Sequence, residues 1–242
     1  MIEFTLNGRR VEVEWEGRWW PATVLGGRLG LSATVPFGSL GVKGNVGPIP
    51  VEDSVTTFAD PILTGFLGWR SGNYHWQIGV SSYMPWGDYR YGELANIAKH
   101  RQATDVQAAL TYLDPAQGID VTNAVGFTFN AENNATHYRT GDEFHWDWGI
   151  TKKWSNGVSL GVVGYFYRQL TPDSGDGAVL GDFEGEVASV GASIGYDYTL
   201  GKLPVTSRLR YYHELDVENR LQGDAVFLST SLPLWVDTSA AR

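Results

Sequence analysis

From Glu143 to Thr151 the chain alternates without a fault. Phe144, Trp146, Trp148 and Ile150 share one parity, while Glu143, His145, Asp147, Gly149 and Thr151 share the other. A β-strand sends successive side chains to opposite faces, so this segment has one aromatic face and one charged face. The charged face has to meet water. A soluble lipocalin-like barrel or sandwich buries the aromatic face, whereas a membrane barrel turns it to hydrocarbon and points the charges into a lumen.

The same division recurs along the chain. Ala188, Val190, Ala192, Ile194, Tyr196 and Tyr198 oppose Ser189, Gly191, Ser193, Gly195, Asp197 and Thr199. Trp76, Ile78 and Val80 oppose His75, Gln77, Gly79 and Ser81. Val205, Leu209, Tyr211 and Leu215 oppose Thr206, Arg208, Arg210, Tyr212 and Glu214. Burying Asp147, Asp197, Arg208 and Arg210 in a dry core is costly unless each is paired, and a hydrated lumen removes that cost. Aromatics near strand ends (Trp69, Trp76, Trp86, Trp154, Trp235, Tyr112 and Tyr198) fit the interfacial girdles of a membrane barrel.

Turn signals separate the strands with an alternating rhythm. Short Gly-, Pro-, Asn- and Asp-rich turns stand at 70–73, 114–118, 155–157 and 201–202, and long polar loops near 87–102, 131–141, 171–185 and 217–223. Short turns at one end and long loops at the other mark an up-and-down outer-membrane barrel. Strands are expected at 60–69, 74–85, 103–113, 119–130, 142–154, 157–169, 186–199, 204–215 and 224–235. Further strands are expected at 29–35, 11–25 and 2–6, giving about 12. The expected fold is all-β, an antiparallel up-and-down transmembrane barrel forming one domain over 1–242, with 38–59 and 87–102 as long loops able to plug it.

Composition narrows the remaining choices. The 242 residues include 30 Gly, 10 Trp and 12 Tyr, a mixture suited to strands and tight turns. Mean hydropathy is −0.20, and no stretch reaches the ~18 apolar residues of a membrane helix. A net charge of −9 without a Lys/Arg cluster argues against nucleic acid. With no cysteine, disulfides, thiolate metal sites and Cys nucleophiles are excluded. Met1 leads straight into Ile2-Glu3-Phe4-Thr5-Leu6, with no basic or apolar leader region, so no signal peptide is expected in this chain.

Chemical sites find little support. His137, Asp142, Glu143, His145 and Asp147 offer imidazole and carboxylate ligands, but alternation already accounts for polar residues there. Asp173, Asp176, Asp182, Glu184 and Glu186 read as a solvated acidic loop. Ser159, Ser189, Ser193, Ser207 and His213 have no nucleophile-elbow spacing, so an enzyme is not expected. No cofactor, metal or catalytic residue is assigned. The residues expected to line a pore are Glu143, His145, Asp147, Tyr165, Tyr167, Asp197, Arg208, Arg210, Tyr212 and Glu214. In it, Arg208 and Arg210 would either oppose Glu143, His145 and Asp147 across the pore or simply pair with them to stabilise the interior, and the tyrosines would offer stacking surfaces.

From about Ala22 onward the chain resembles the outer-membrane family of the meta-pathway of phenol degradation. The resemblance rests on Val24–Gly30, Val46-Gly47-Pro48, Phe58-Ala59-Asp60-Pro61, Leu113-Asp114-Pro115 and Tyr138–His145. It continues through Ser155–Tyr165, Gly181-Asp182-Phe183, Leu209-Arg210-Tyr211-Tyr212 and Glu218-Asn219-Arg220. It implies a barrel in the outer membrane of a Gram-negative bacterium, in contact with lipid and lipopolysaccharide, that helps small hydrophobic or aromatic compounds cross. The alternative is a non-conducting structural or surface-binding barrel. The segment 1–21 departs from the family, and Met1–Arg9 resembles instead the opening of the iron–sulfur subunits of molybdenum hydroxylases. Without cysteine no such cluster can form.

Overall fold

The computed structural model describes residues 23–201 and 203–233. Its strands are β1 (Thr23–Val24), β2 (Gly27–Thr34), β3 (Phe37–Val46), β4 (Ile49–Phe58), β5 (Ile62–Ser71), β6 (Tyr74–Tyr83) and β7 (Ala103–Asp114). They continue as β8 (Ile119–Asn130), β9 (Glu143–Lys153), β10 (Val158–Gln169), β11 (Glu186–Leu200), β12 (Leu203–Glu218) and β13 (Asp224–Ser231). Eleven of them form one sheet, in the order β1-β2-β5-β6-β7-β8-β9-β10-β11-β12-β13, and every pairing is antiparallel. β3 and β4 make a separate hairpin inserted between β2 and β5. The sheet curls so far that Tyr83 on β6 and Phe227 on β13 line one cavity. Among the described residues its edges, β1 and β13, do not pair with each other. The expected strand at 2–6, most of that at 11–25, and Trp235 lie outside the described residues.

Cross-strand partners share a face, so the register turns sequence parity into continuous rows. Asp105, Thr128, Glu143 and Gln169 face one another across β7, β8, β9 and β10, and Gln107, Gly126, His145 and Tyr167 form the next row. These rows are on the concave side: Asp105 and Glu143 are each 3% exposed. The opposite parity is open, with Leu31 at 68% and Phe129 at 52%. Leu29, Ile78, Val80, Val106, Phe127, Trp146, Ile150, Ile194 and Leu228 continue that apolar exterior. So wide an apolar surface is unsuited to water and suited to hydrocarbon. The inner wall is polar, the reverse of a soluble lipocalin. Strands β5 to β10 have 10 to 12 residues, close to the ~9–11 that cross a bilayer when tilted.

Turn chemistry fixes the ends. At the β9–β10 turn Gly157 has φ +87°, and a Cβ there would come 2.4 Å from the Asp197 carbonyl oxygen. Only glycine fits. Trp69 and Trp76 stack at 6.4 Å, Tyr74 meets Tyr112 edge-on at 5.3 Å, and Tyr196 stacks on Tyr198 at 5.7 Å. They gather on the outer face at the short-turn end, as a girdle does, and Trp154 stands in the β9–β10 turn at the same end. Trp86 stands in the long connection 84–102 at the opposite end, 70% exposed.

Two expectations need correction. The segment 38–59 is no irregular loop: Phe37–Val46 pairs with Ile49–Phe58 throughout, around a turn at Gly47 with φ +62°. Its many Gly and Pro residues hide a strand alternation carried by Leu40, Val42, Val51 and Val55, all half-buried on one face. β12 also runs past 215 to Glu218, because an irregularity between Glu186 and Ala188 lets pairing resume at Glu186 and Glu218.

Candidate solute path through the barrel interior

Among the described residues, two cavities stand out inside the curled sheet. The larger, about 1090 Å³, lies toward the short turns and reaches Gly118 and Asn156. The smaller, about 370 Å³, lies toward the long connections, under Leu40 and residues 220–225. Asp147 lines both. Nine of the ten residues expected along a pore line one or the other. His145, Asp147, Tyr165, Tyr167 and Glu214 border the outer cavity, and Asp147, Asp197, Arg208, Arg210 and Tyr212 the inner one. Glu143 is on the same inner face but lines neither, being packed 3.7 Å from the Arg101 guanidinium.

Where the cavities meet, the polar groups are joined. His145 Nε2 lies 2.8 Å from Asp105 Oδ2, and its Nδ1 lies 3.5 Å from Asp147 Oδ2. Thr128 Oγ1 donates to the same Asp105 oxygen at 2.8 Å. His145 reaches Asp105, two strands away, only by lying across Gly126: a Cβ there would sit 2.3 Å from Nε2. On the far wall Tyr165 Oη donates to Glu214 Oε1 at 2.7 Å, and the Tyr165 ring meets Tyr212 at 5.4 Å. Glu214 Oε2 accepts from the Gly223 amide at 2.8 Å, tying the β12–β13 connection to the wall.

The inner cavity carries Arg208 and Arg210 on β12, with Asp147 across it on β9. Asp197 is paired with Lys153. Of the expected opposition of charges, Asp147 against the two arginines is thus present in one cavity. Glu143 and His145 are already engaged with Arg101 and Asp105.

The outer end is built, not loose. Asp60, 8% exposed, accepts three backbone N–H bonds, from Gly87 at 3.0 Å, Lys99 at 2.8 Å and His100 at 2.9 Å. Asp53 accepts from the Ala95 amide at 2.8 Å, and Thr57 Oγ1 donates to Asp88 at 2.9 Å. The β3–β4 hairpin is thereby fastened to the connection 84–102. Farther round, Tyr138 donates to Asp173, which also accepts from Gln169 Nε2 at 2.8 Å. Burial first, and then this hydrogen bond, hold the Tyr138 phenol above its usual pKa.

Other candidates fall apart in space. His137 pairs with Glu132 in a connection, Asp142 with Arg139, Glu143 with Arg101, and His145 with Asp105 and Asp147. Among the described residues no group of three His, Cys, Asp or Glu side chains is arranged to hold a metal. Ser159, Ser189 and Ser193 are buried on the inner face, whereas His213 is on the outer face with Nδ1 2.8 Å from Asp224. Ser207 shares the outer face but contacts Thr230 and Tyr198. Sequence reasoning missed Asp105, Arg220 and Tyr83. Parity was enough to find Asp105, which shares a face with Ala103 and Gln107 and alternates with Thr104 and Val106, whereas Arg220, named only within Glu218-Asn219-Arg220, had no spacing that set it at a cavity.

The family model described as "Putative MetA-pathway of phenol degradation" matches residues 9–230. Among curated proteins nothing matches. Among solved structures, an outer membrane channel from Pseudomonas putida F1 is similar with a TM-score of 0.66 and 18% identity, over 85% of this chain and 75% of that one. At that identity the likeness concerns the fold alone.

Proposed function

The chain belongs to the family of the MetA-pathway of phenol degradation, and from that premise we propose that it is an outer-membrane channel passing small hydrophobic or aromatic compounds. It sits in the outer membrane of a Gram-negative bacterium, with its apolar exterior against lipid and its long connections among lipopolysaccharide. It moves solutes without transforming them. The observation that carries this reading is two cavities in series inside a wall that is apolar outside and polar inside, joined at Asp147. The tyrosines of the outer cavity supply surfaces for ring stacking, and Arg208, Arg210 and Asp147 supply a transverse field for polar ends of the solute. The name of the similar structure, an outer membrane channel, supports the same reading.

Planar bilayers containing the purified full chain test it, together with uptake of phenol and toluene by protein-loaded vesicles. Discrete conductance and faster uptake than in empty vesicles are expected. A silent bilayer with unchanged uptake refutes the channel and leaves the non-conducting barrel.

A further inference from the structure

The outer cavity holds a recognition element that simple passage does not use. The Arg220 guanidinium lies over the Tyr167 ring, 4.3 Å from its centre. Its stem runs past Gly185, where a Cβ would come within 3.0 Å of Arg220 Cγ. A guanidinium seated over a ring can still offer N–H donors to a planar, bidentate acceptor. No carboxylate of the described residues lies within ion-pairing distance of Arg220.

The carboxylates bordering this cavity are already committed. Glu214 accepts from Tyr165 and the Gly223 amide. Asp147 faces His145. Asp224 is engaged on the outer surface by Tyr211 at 2.7 Å and His213 at 2.8 Å. Hydrogen bonding does not cancel the charge of these carboxylates, but each is held by partners of its own, and Arg220 is the lining cation that no carboxylate of the described residues engages. Other parts of the lining are carbon-rich: Leu40 of the hairpin, Tyr83, Phe227, and Val187, only 1% exposed. A volume of about 370 Å³ is at the small end of ligand sites and takes a single substituted ring.

We infer that the outer cavity is a binding site for a small aromatic carboxylate, its carboxylate on the edge of Arg220 and its ring among Leu40, Tyr83 and Phe227. This deepens the channel reading, on which its physiological sense rests, by giving the solute a charge as well as a ring. The site selects the anion at the outer mouth, before the solute reaches Asp147.

Calorimetric titration of the detergent-folded full chain tests the site apart from conduction. Benzoate is expected to bind at least ~10-fold tighter than benzamide, its neutral counterpart, and than acetate, which lacks the ring. Arg220→Gln is expected to erase the preference for benzoate over benzamide. Leu40→Trp, which fills the cavity, is expected to weaken both aromatic ligands. Equal affinities for benzoate and benzamide, or a preference that survives Arg220→Gln, overturn the inference, and acetate binding as tightly as benzoate overturns its aromatic half. Current without benzoate preference leaves the channel standing and removes this site. Benzoate binding by a protein that passes no current does the reverse.

Discussion

Replacing Gly126 by alanine should loosen the barrel through the side chain of its cross-strand partner, His145. A Cβ at 126 would sit 2.3 Å from His145 Nε2 and 2.5 Å from Cε1, where non-bonded heavy atoms need about 3.5 Å. The ring must swing away by more than 1 Å, and the 2.8 Å contact with Asp105 does not survive that movement. Asp105 is 3% exposed and would keep only Thr128 as a donor. Losing a hydrogen bond to a buried charged group costs about 1.5–3 kcal/mol. Stripping a buried charge of every partner, about 3–5 kcal/mol, is the ceiling, because Thr128 stays. Alanine returns about 0.5–1 kcal/mol in a strand by restricting the unfolded chain. The expected net loss is about 1–2 kcal/mol. Urea unfolding in lipid vesicles, followed by tryptophan fluorescence, reads it. The decisive comparison is a cycle with Asp105→Asn. If the damage runs through the His145–Asp105 contact, the double variant loses at least ~1 kcal/mol less than the sum of the singles. Additive losses refute the reasoning.

The Tyr138 phenol, raised by burial and by Asp173, stays neutral in the folded connection beyond its ordinary value of 10.0. Its contribution is therefore complete below that pH and is lost as pH climbs through the raised value. Proteolysis of the connection 170–185 should accelerate above pH ~10 in the native chain, and Tyr138→Phe should lack that step; equal pH profiles would count against the link. Charge reversal at both Arg208→Glu and Arg210→Glu should shift the reversal potential in a salt gradient toward cation preference, because both line the inner cavity opposite Asp147. An unchanged potential would take the inner cavity off the conduction path.

Parity made the wall legible. The unbroken alternation of 143–151 carries the whole face assignment, since the strand period of two admits only one inward set once Asp147 and Arg210 must be wet. Turn residues such as Asn156-Gly157 located the short end because left-handed backbone geometry is written in single residues. The β3–β4 hairpin was not legible, because Gly38, Gly41, Gly44, Pro48 and Pro50 read locally as irregular chain. Pairing between its two halves overrides that preference. The site divides the same way. Inward residues on strands follow from counting, whereas Arg220 depends on where a five-residue connection folds back over Tyr167, a distance that no spacing encodes.

Two compartments in series that share a single aspartate make the interior of the molecule asymmetric from end to end. On the proposed channel reading, a molecule that enters the outer compartment and is too wide for the junction would occlude flow when added outside and leave it untouched when added from the periplasm. On the channel reading, sidedness of this kind would come from shape alone.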